Sequence, residues 1–494
     1  MTIIVKISPE VMIKSRPVRK RTIQLLTQNI AIFLKEYKEK IKILPTWDRI
    51  TIEFRKDILE KENNEIIKIL SFIPGIYSFY NVIEGNLTNL DNLYLETKNL
   101  FLEKISNKTF VVRVHRTGKH DFSSIDAEKY LGGLFLKNSI NAKVKLENSD
   151  IIINIDIKED KYFVIQNRYN GIGGYPVSFQ GKVLSLISGG FDSGVSTYLS
   201  MRRGCEVDFL FFNLGGTAHE LGVKQVAHYL WKTFSKNYKA KFITINFEEI
   251  IKELLTKIDH KYRGIILKRL MLKCASNIGE TSHYALVKGD SLGQVSSQTL
   301  INMSVIDKSS SMLVLRPLIT YDKQEIIDIT KKIGTYDFAC NMPEYCGVIS
   351  DKPATKSEEY KIIEEEKNID ITTIQKAINN KKIEKIEDVL NTELGDLEMG
   401  IEMSYLPGND EVIIDIREPE KITKSPLEYS GINIINIPFF DINHKFPTLD
   451  KNKNYLFYCD KGVLSKLHAL YLKEKGFNNI KIFRPLKKEN NCKI

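Results

Sequence analysis

Ser188-Gly189-Gly190-Phe191-Asp192-Ser193 is the stretch that most restricts how this chain can fold. It follows Lys182-Val-Leu-Ser-Leu-Ile187, an apolar run of strand character, and precedes Gly194-Val-Ser-Thr-Tyr-Leu-Ser-Met201, which reads as a helix. A glycine-rich turn between strand and helix leaves backbone N–H groups unpaired at the positive end of the helix dipole, and that geometry holds phosphate. Gly189 and Gly190 let the chain approach an anion closely, while Ser188 and Ser193 add hydroxyl donors. Asp192 is acidic where the ligand is acidic, so it suits Mg²⁺ or a substrate group better than phosphate itself. The alternative phosphate loop, G-x-x-x-x-G-K-[ST], occurs nowhere in the chain.

The hexapeptide resembles the S-G-G-x-D-S signature of the PP-loop ATP pyrophosphatases. That resemblance implies cleavage of ATP between its α and β phosphates and adenylation of a carbonyl-type oxygen. The surrounding pattern agrees. Strands are expected at Val183–Ile187, Val207–Asn213, Lys241–Phe247, Tyr284–Gly289 and Met312–Leu318, with helices over 219–237 and 264–280. Alternating βα units predict a doubly wound parallel sheet over 169–350, with ligand at the C-terminal strand ends. Phe211, Phe212 and the run from Gly289 to Gln298 then supply further walls of the nucleotide site. Lys268 has two readings, a phosphate contact or an exposed lysine. Lys323, past the fifth strand, is expected to stabilise charge on departing pyrophosphate.

At 494 residues the chain should hold roughly three domains. No apolar run reaches the ~18 residues of a membrane span, and Met1-Thr-Ile-Ile-Val-Lys6 lacks a signal-peptide layout. The expectation is a cytoplasmic protein with no membrane partner. The cysteines at 205, 274, 340, 346, 459 and 492 form no C-x-x-C and do not cluster with histidine, so neither a disulfide framework nor a protein-bound metal site is expected. A net charge of +10 points to a polyanionic partner, or to the drift of a chain rich in Lys, Ile and Asn.

Residues 1–60 read as a ferredoxin-like α+β unit: a strand at Thr2–Ile7, an amphipathic helix to about Lys40, and an alternating strand from Trp47 to Phe54. Its basic cluster, including Lys14 and Arg16, either contacts phosphates or is a solvated helix start. Over 61–168 the strands Phe110–His115, Ala142–Leu146, Ile151–Ile157 and Tyr162–Ile165 flank a basic turn and a helix through Tyr130. The glycine-bearing run Arg168–Pro176 reads as a linker. This region resembles a THUMP domain, a tRNA-binding module, and Arg113, Arg116, Lys119, His120 and Arg168 are placed near the RNA backbone. No RNP-type aromatic motif appears, so shape and phosphate recognition are expected.

Residues 351–403 are charged and helix-forming, and read as a connector. From 404 to 494 the pattern is α/β again, with strands Glu411–Glu418, Ile432–Ile437 and Tyr455–Tyr458. The last runs straight into Cys459-Asp-Lys-Gly-Val-Leu-Ser465 and a helix closed by Gly476. A thiol at a strand end, facing unpaired N–H groups and a helix start, is set up to carry a terminal persulfide sulfur. This segment resembles the rhodanese sulfurtransferase domain.

Taken together, the order of these modules resembles the tRNA uridine 4-sulfurtransferase (4-thiouridine synthetase) family over essentially the whole chain. The specific matches are Leu184–Gly194, Leu292–Gln298, Met342–Ser350 and Cys459–Ser465. The resemblance implies a multidomain α/β enzyme that adenylates uridine 8 of tRNA with Mg-ATP and replaces O4 by sulfur. It implies a cysteine desulfurase charging Cys459 with persulfide. Cys346 would be the second cysteine, forming a Cys346–Cys459 disulfide that a thiol reductant reopens. Otherwise Cys346 reads as an inert loop thiol. ATP contacts carry over to Leu186, Ile187, Lys268, Gly289 and Gln298. A second family role, sulfur donation to the thiazole of thiamine, is implied without any sign of whether this chain uses it. Other readings are a persulfide carrier that modifies no RNA, an RNA-binding protein with vestigial sites, and a PP-loop enzyme acting on another base. A homodimer would let one chain's THUMP-like domain present RNA to the other's site.

Overall fold

The computed structural model describes residues 2–340 apart from 56, 57 and 215, then 342, 353–390, and 401–485 apart from 409, 418–421, 423, 424, 430, 438–441, 443, 444, 460–464, 466, 467, 470, 471 and 474. The chain divides into two units, residues 1–179 with 202–204, and residues 180–201 with 205–494.

The first unit is built on one sheet. Its strands are Thr2–Ile7 (β1), Ile41–Pro45 (β2), Arg49–Phe54 (β3), Ile76–Asn86 (β4), Thr109–Thr117 (β5), Lys143–Val144 (β6), Ile151–Lys158 (β7) and Lys161–Asn170 (β8), in the order β2-β3-β1-β4-β8-β7-β5-β6. Alternation in β1 turns Ile3, Val5 and Ile7 towards Ile23, Leu26, Ile30, Ile66 and Leu70 of the helices Arg16–Phe33 and Glu60–Phe72. The helices Leu90–Ile105 and Ser124–Asn138 cover β5 and β7 in the same way, packing Leu93, Phe101, Leu131 and Phe135 on Phe110, Val112, Ile153 and Ile155. Two sequence expectations change here. The run read as a linker begins inside β8, because Arg168, Tyr169 and Asn170 pair with Tyr80, Phe79 and Ser78 of β4 and the Tyr169 ring stacks on Phe79 at 5.2 Å. The strand expected at 142–146 shrinks to the two exposed residues of β6, which offer the core nothing to bury.

The second unit carries two sheets. The larger comprises Gly181–Leu186 (β9), Cys205–Asn213 (β10), Lys241–Asn246 (β11), Ala285–Val287 (β12), Leu313–Leu315 (β13) and Lys382–Lys385 (β14), ordered β13-β12-β9-β10-β11-β14. All neighbours are parallel except β14, which pairs antiparallel with β11. The segment read as a connector is therefore packed: Ile362, Ile369 and Ile378 sit in the same apolar core as Leu254 and Leu270. Lys224, with no exposed surface, joins Glu220 at 2.9 Å to Glu384 of β14 at 2.8 Å. The smaller sheet is parallel throughout, with strands Met403–Ser404 (β15), Glu411–Asp415 (β16), Ile434–Asn436 (β17), Asn454–Tyr458 (β18) and Ile480–Phe483 (β19) in the order β15-β19-β18-β16-β17. Its core holds Ile414, Phe457, Leu472 and Ile482.

Candidate active site

β9 is central, with Val183, Leu184 and Ser185 buried between the layers, and the chain leaves the sheet at its C-terminal end. Ile187 N–H still donates to Leu210 O at 2.9 Å; the helix Phe191–Arg202 starts four residues later. Ser193 closes the turn between them. Its Oγ accepts from Ser188 N–H at 3.1 Å and donates to Gly190 O at 3.3 Å. Gly189 has φ +81°, a left-handed conformation that a side chain would strain. At the end of β12, a Cβ on Gly289 would lie 2.7 Å from the Asp192 carbonyl carbon and 2.9 Å from Ser193 N, so only glycine fits against the helix start.

These ends enclose a cavity of about 690 Å³. Of the residues singled out from sequence, Leu186, Ile187, Ser188, Gly190, Asp192, Ser193, Phe212, Lys268, Gly289, Gln298 and Lys323 line it. Phe211 does not: its ring is buried and meets the edge of His219 at 4.9 Å. Gly189 packs instead towards Met342 and Val223. Four lysines and two aspartates line the cavity, an excess of positive charge that suits a polyanion.

The charges are organised in two groups. Asp192 takes Lys323 Nζ on Oδ1 at 2.8 Å and Gln294 Nε2 on Oδ2 at 2.8 Å. Lys323 begins a helix capped by Asp322 and also faces the Phe191 ring at 5.3 Å. Deeper down, Asp290 lies 2.9 Å from Lys288, 3.0 Å from Arg316 and 3.8 Å from Lys268. Burial pushes the Asp290 carboxyl up, but the Lys288, Lys268 and Arg316 charges override it and hold it well below the usual carboxylate range. Burial also pulls Lys288 down, against the pull of Asp290. Among the described residues the buried Gln298 Oε1 accepts no hydrogen bond, so a donor on a ligand would satisfy it. Burial brings His219, beside Ser188 O at 3.4 Å, down to about 4 and so leaves its imidazole neutral. Asp290 and Gln294 fall within the run Gly289–Gln298 expected as a wall of the site, whereas Lys288, His219 and Arg316 were given no role from sequence. The usable signal was Lys288 itself, a lysine ending the apolar strand Ala285–Val287.

A second constellation sits at the ends of β16 and β18. Cys459 follows β18, is 4% exposed, and its Sγ accepts from Ser465 N–H at 3.4 Å, with Ser465 Oγ also at 3.4 Å. Asp415 and Arg417, both buried, are paired through Nη2 at 2.7 Å and Nε at 3.0 Å. The Arg417 guanidinium lies 5.0 Å from the ring centroid of Tyr458, the residue before Cys459. Burial pulls the nearby helix residue His468 down to about 4. Cys346 and Cys492 lie outside the described residues. Cys205 and Cys274 are buried, and burial pushes the Cys274 thiol up to about 12. Cys340, given no role in the sequence reading, is exposed and lines the first cavity.

In the first unit, Arg116 and His120 come together, with Nη1 3.1 Å from Nδ1, and His120 Nε2 lies 2.8 Å from Glu159 O. Lys119 is exposed in the same turn. Arg113 donates to Leu146 O at 2.6 Å and pairs with Glu128 at 3.5 Å, while Arg168 lies over the Tyr80 ring at 5.5 Å. Lys14 and Arg16 are exposed at the start of the helix Arg16–Phe33.

Comparison with known families matches each part of the chain. The profile of the Thiamine biosynthesis protein (ThiI) family matches residues 178–371, the ThiI ferredoxin-like domain 2–80, the THUMP domain 88–165 and the rhodanese-like domain 403–484. The tRNA sulfurtransferase of Histophilus somni (strain 129Pt) is 46% identical over 98% of this chain and 100% of its own length. That of Escherichia coli (strain K12 / DH10B) is 45% identical with the same coverage. Among solved structures, a 4-thiouridine synthetase–RNA complex with bound ATP aligns with a TM-score of 0.67 at 25% identity, covering 78% of this chain and 98% of that one. Full-length identity at this level, with a PP-loop cavity and a rhodanese-like domain in one chain, shows that the protein belongs to the tRNA sulfurtransferase (ThiI) family of enzymes.

Proposed function

We propose that the protein thiolates tRNA in the cytoplasm, replacing O4 of uridine 8 by sulfur to give 4-thiouridine. The reading is carried by one observation: a cationic cavity at a Ser-Gly-Gly turn and a strand-end thiol held by a backbone N–H occur in one chain. The related 4-thiouridine synthetase, solved with RNA and ATP, supports both substrates. ATP suits the first cavity because the lysines, the turn amides and the open Gln298 acceptor complement phosphates and a donor-bearing base. Among the described residues no cluster of three metal-ligating side chains occurs. Mg²⁺ would therefore be held by Asp192 and by phosphate oxygens, and would supply charge neutralisation there.

In this reading the uridine O4 attacks the α-phosphorus and pyrophosphate departs, its charge met by Lys323, with Lys268 and Lys288 behind it. A cysteine desulfurase has by then placed a sulfane sulfur on Cys459. The terminal sulfur attacks C4 and AMP leaves, giving Cys459–S–S–C4. Cys346 as thiolate then attacks the Cys459 sulfur, releasing the thionucleoside and leaving a Cys346–Cys459 disulfide, whose two electrons a thiol reductant restores. Sulfide released from the persulfide would serve equally as the attacking group. Donation of the Cys459 persulfide to thiazole formation would use the second constellation alone. Peptide mass analysis after one turnover tests the chemistry. The reading predicts AMP and pyrophosphate in equal amounts and a Cys346–Cys459 peptide pair in the absence of reductant. A Cys459 persulfide that persists in the presence of ATP and tRNA would instead identify a carrier.

A further inference from the structure

The chain has two tryptophans, and the structure treats them oppositely. Trp231 is buried, with its Nε1–H donating to Tyr238 O at 2.7 Å. Trp47 is 70% exposed, in the turn joining β2 to β3. That turn is well tied. Thr46 N–H donates to Arg49 O at 2.8 Å, Thr46 Oγ lies 2.9 Å from Asp48 Oδ1, and Lys158 pairs with Asp48 at 3.7 Å. The indole is thus presented to solvent by an ordered hairpin. An exposed ring of this size forgoes about 25 cal/mol for each Å² it could have buried.

The surface beside it is basic. The Arg19 guanidinium lies 5.6 Å from the Trp47 ring centroid and donates from Nη1 to Met12 O at 3.4 Å. Arg16, Lys20 and Arg21 are exposed on the same helix and Lys14 just ahead of it; the first turn of that helix carries no acidic residue and the side chain of its N-cap Ser15 makes no capping bond. The acids close by in sequence are already engaged, Glu10 by Arg203 at 3.1 Å and Asp48 by Lys158. An aromatic face with a guanidinium beside it, on a unit whose adjoining helix start exposes further lysine and arginine, suits a nucleotide: the ring takes a base and the cations take its phosphates.

We propose that Trp47 and Arg19 form a stacking site for one unpaired base of the bound RNA, with Lys14 and Arg16 on the flanking phosphates. The inference rests on the RNA-binding reading above and assigns to the ferredoxin-like unit a role separate from that of the Arg116–His120 turn. Stacking uses the π-face that every base has, so the site accepts any base.

The test uses the full-length protein and two RNA stem-loops, one blunt and one with a short single-stranded tail. Because Trp231 is buried, quenching of tryptophan emission by the tailed RNA reports on Trp47. Trp47→Ala should weaken the tailed RNA by roughly 5- to 100-fold, and the blunt RNA by less than about 2-fold. The slope of log affinity against log salt should not change, because no phosphate contact is removed. Trp47→Phe should recover much of the loss. Equal weakening of both RNAs, or no weakening of either, overturns the stacking site; the latter result leaves the turn as a protein-docking surface. If Arg116→Ala with Lys119→Ala still weakens both RNAs, the RNA-binding reading survives that failure. If no RNA binds the wild type, both fall.

Discussion

Lys323 Nζ lies 2.8 Å from Asp192 Oδ1, so the two groups assigned to the ATP chemistry neutralise each other before any phosphate arrives. The lysine side chain is 40% exposed, so the pair adds little stability and is easily exchanged for a stronger anion. An incoming polyphosphate with Mg²⁺ would separate the two, taking the lysine on phosphate oxygen and the carboxylate on the metal. Asp192→Asn should therefore leave the affinity for metal-free ATP unchanged or improved, since Lys323 is freed. Adenylation should fall by roughly 10²–10³-fold, as should that of Lys323→Gln. Equilibrium dialysis with metal-free ATP, paired with pyrophosphate release, separates the two effects. A parallel loss of binding in Asp192→Asn would contradict this assignment.

Asp290 is the anion on which Lys288, Lys268 and Arg316 converge. Asp290→Asn leaves Lys288 and Lys268 without their counter-charge in a buried place, while Arg316 keeps Asp307 at 2.8 Å, a loss of about 3–5 kcal/mol. Thermal unfolding of the second unit should shift down by roughly 5–15 °C. Added ATP should restore part of that shift, because its phosphates replace the missing negative charge. A melting curve with and without nucleotide checks both parts.

Gly289→Ala puts a methyl group 2.7 Å from the Asp192 carbonyl carbon, where backbone rather than a flexible side chain must yield. ATP affinity should fall by at least about tenfold, while persulfide formation on Cys459 stays as in the wild type. The readout is nucleotide titration beside mass analysis of the Cys459 peptide. An unchanged ATP affinity would show that the helix start can retreat at no cost.

His219 and His468 both have folded values of about 4, below the ordinary 6.5, because burial disfavours the imidazolium. The unfolded chain therefore binds more protons between these values, and stability falls as pH drops from 6.5 towards 4. Above 6.5 the contribution is complete and flat. Hydrogen exchange of the rhodanese-like domain should show loss of protection in that window. His468→Asn should remove the part of that loss due to His468. A domain equally protected at pH 7 and pH 4.5 would be inconsistent with a neutral buried His468.

The phosphate turn was legible because its chemistry is contiguous: strand, glycines, hydroxyls and helix start all fall between Lys182 and Met201. The convergence of cations on Asp290 was not, although Lys268 and the run holding Asp290 were placed at the site, because Lys288, Lys268 and Arg316 come from separate elements and meet only when β12 and β13 pair. Phe211 shows the limit of a strand-end rule. Side chains alternate along β10, so Phe212 lines the cavity while Phe211 points the other way and reaches it only through His219, whose ring it meets at 4.9 Å. The segment after 351 read as a connector because its charges dominate the composition, whereas Ile362, Ile369 and Ile378 decide where it packs. Cys459 stood out through position, a thiol closing an apolar strand; the Asp415–Arg417 pair joins residues two apart in the chain, and the parallel pairing of β16 with β18 sets it beside Tyr458, the residue before Cys459.

The central claim is that two sites in one chain complete one reaction. Mass analysis of nucleosides from unmodified tRNA tests it most directly, after incubation with the protein, Mg-ATP, cysteine, a desulfurase and a thiol reductant. Wild type should yield 4-thiouridine, and both Cys459→Ala and Asp192→Ala should yield none. No thionucleoside from a wild type whose Cys459 still takes up persulfide would contradict the account and leave a sulfur carrier in its place.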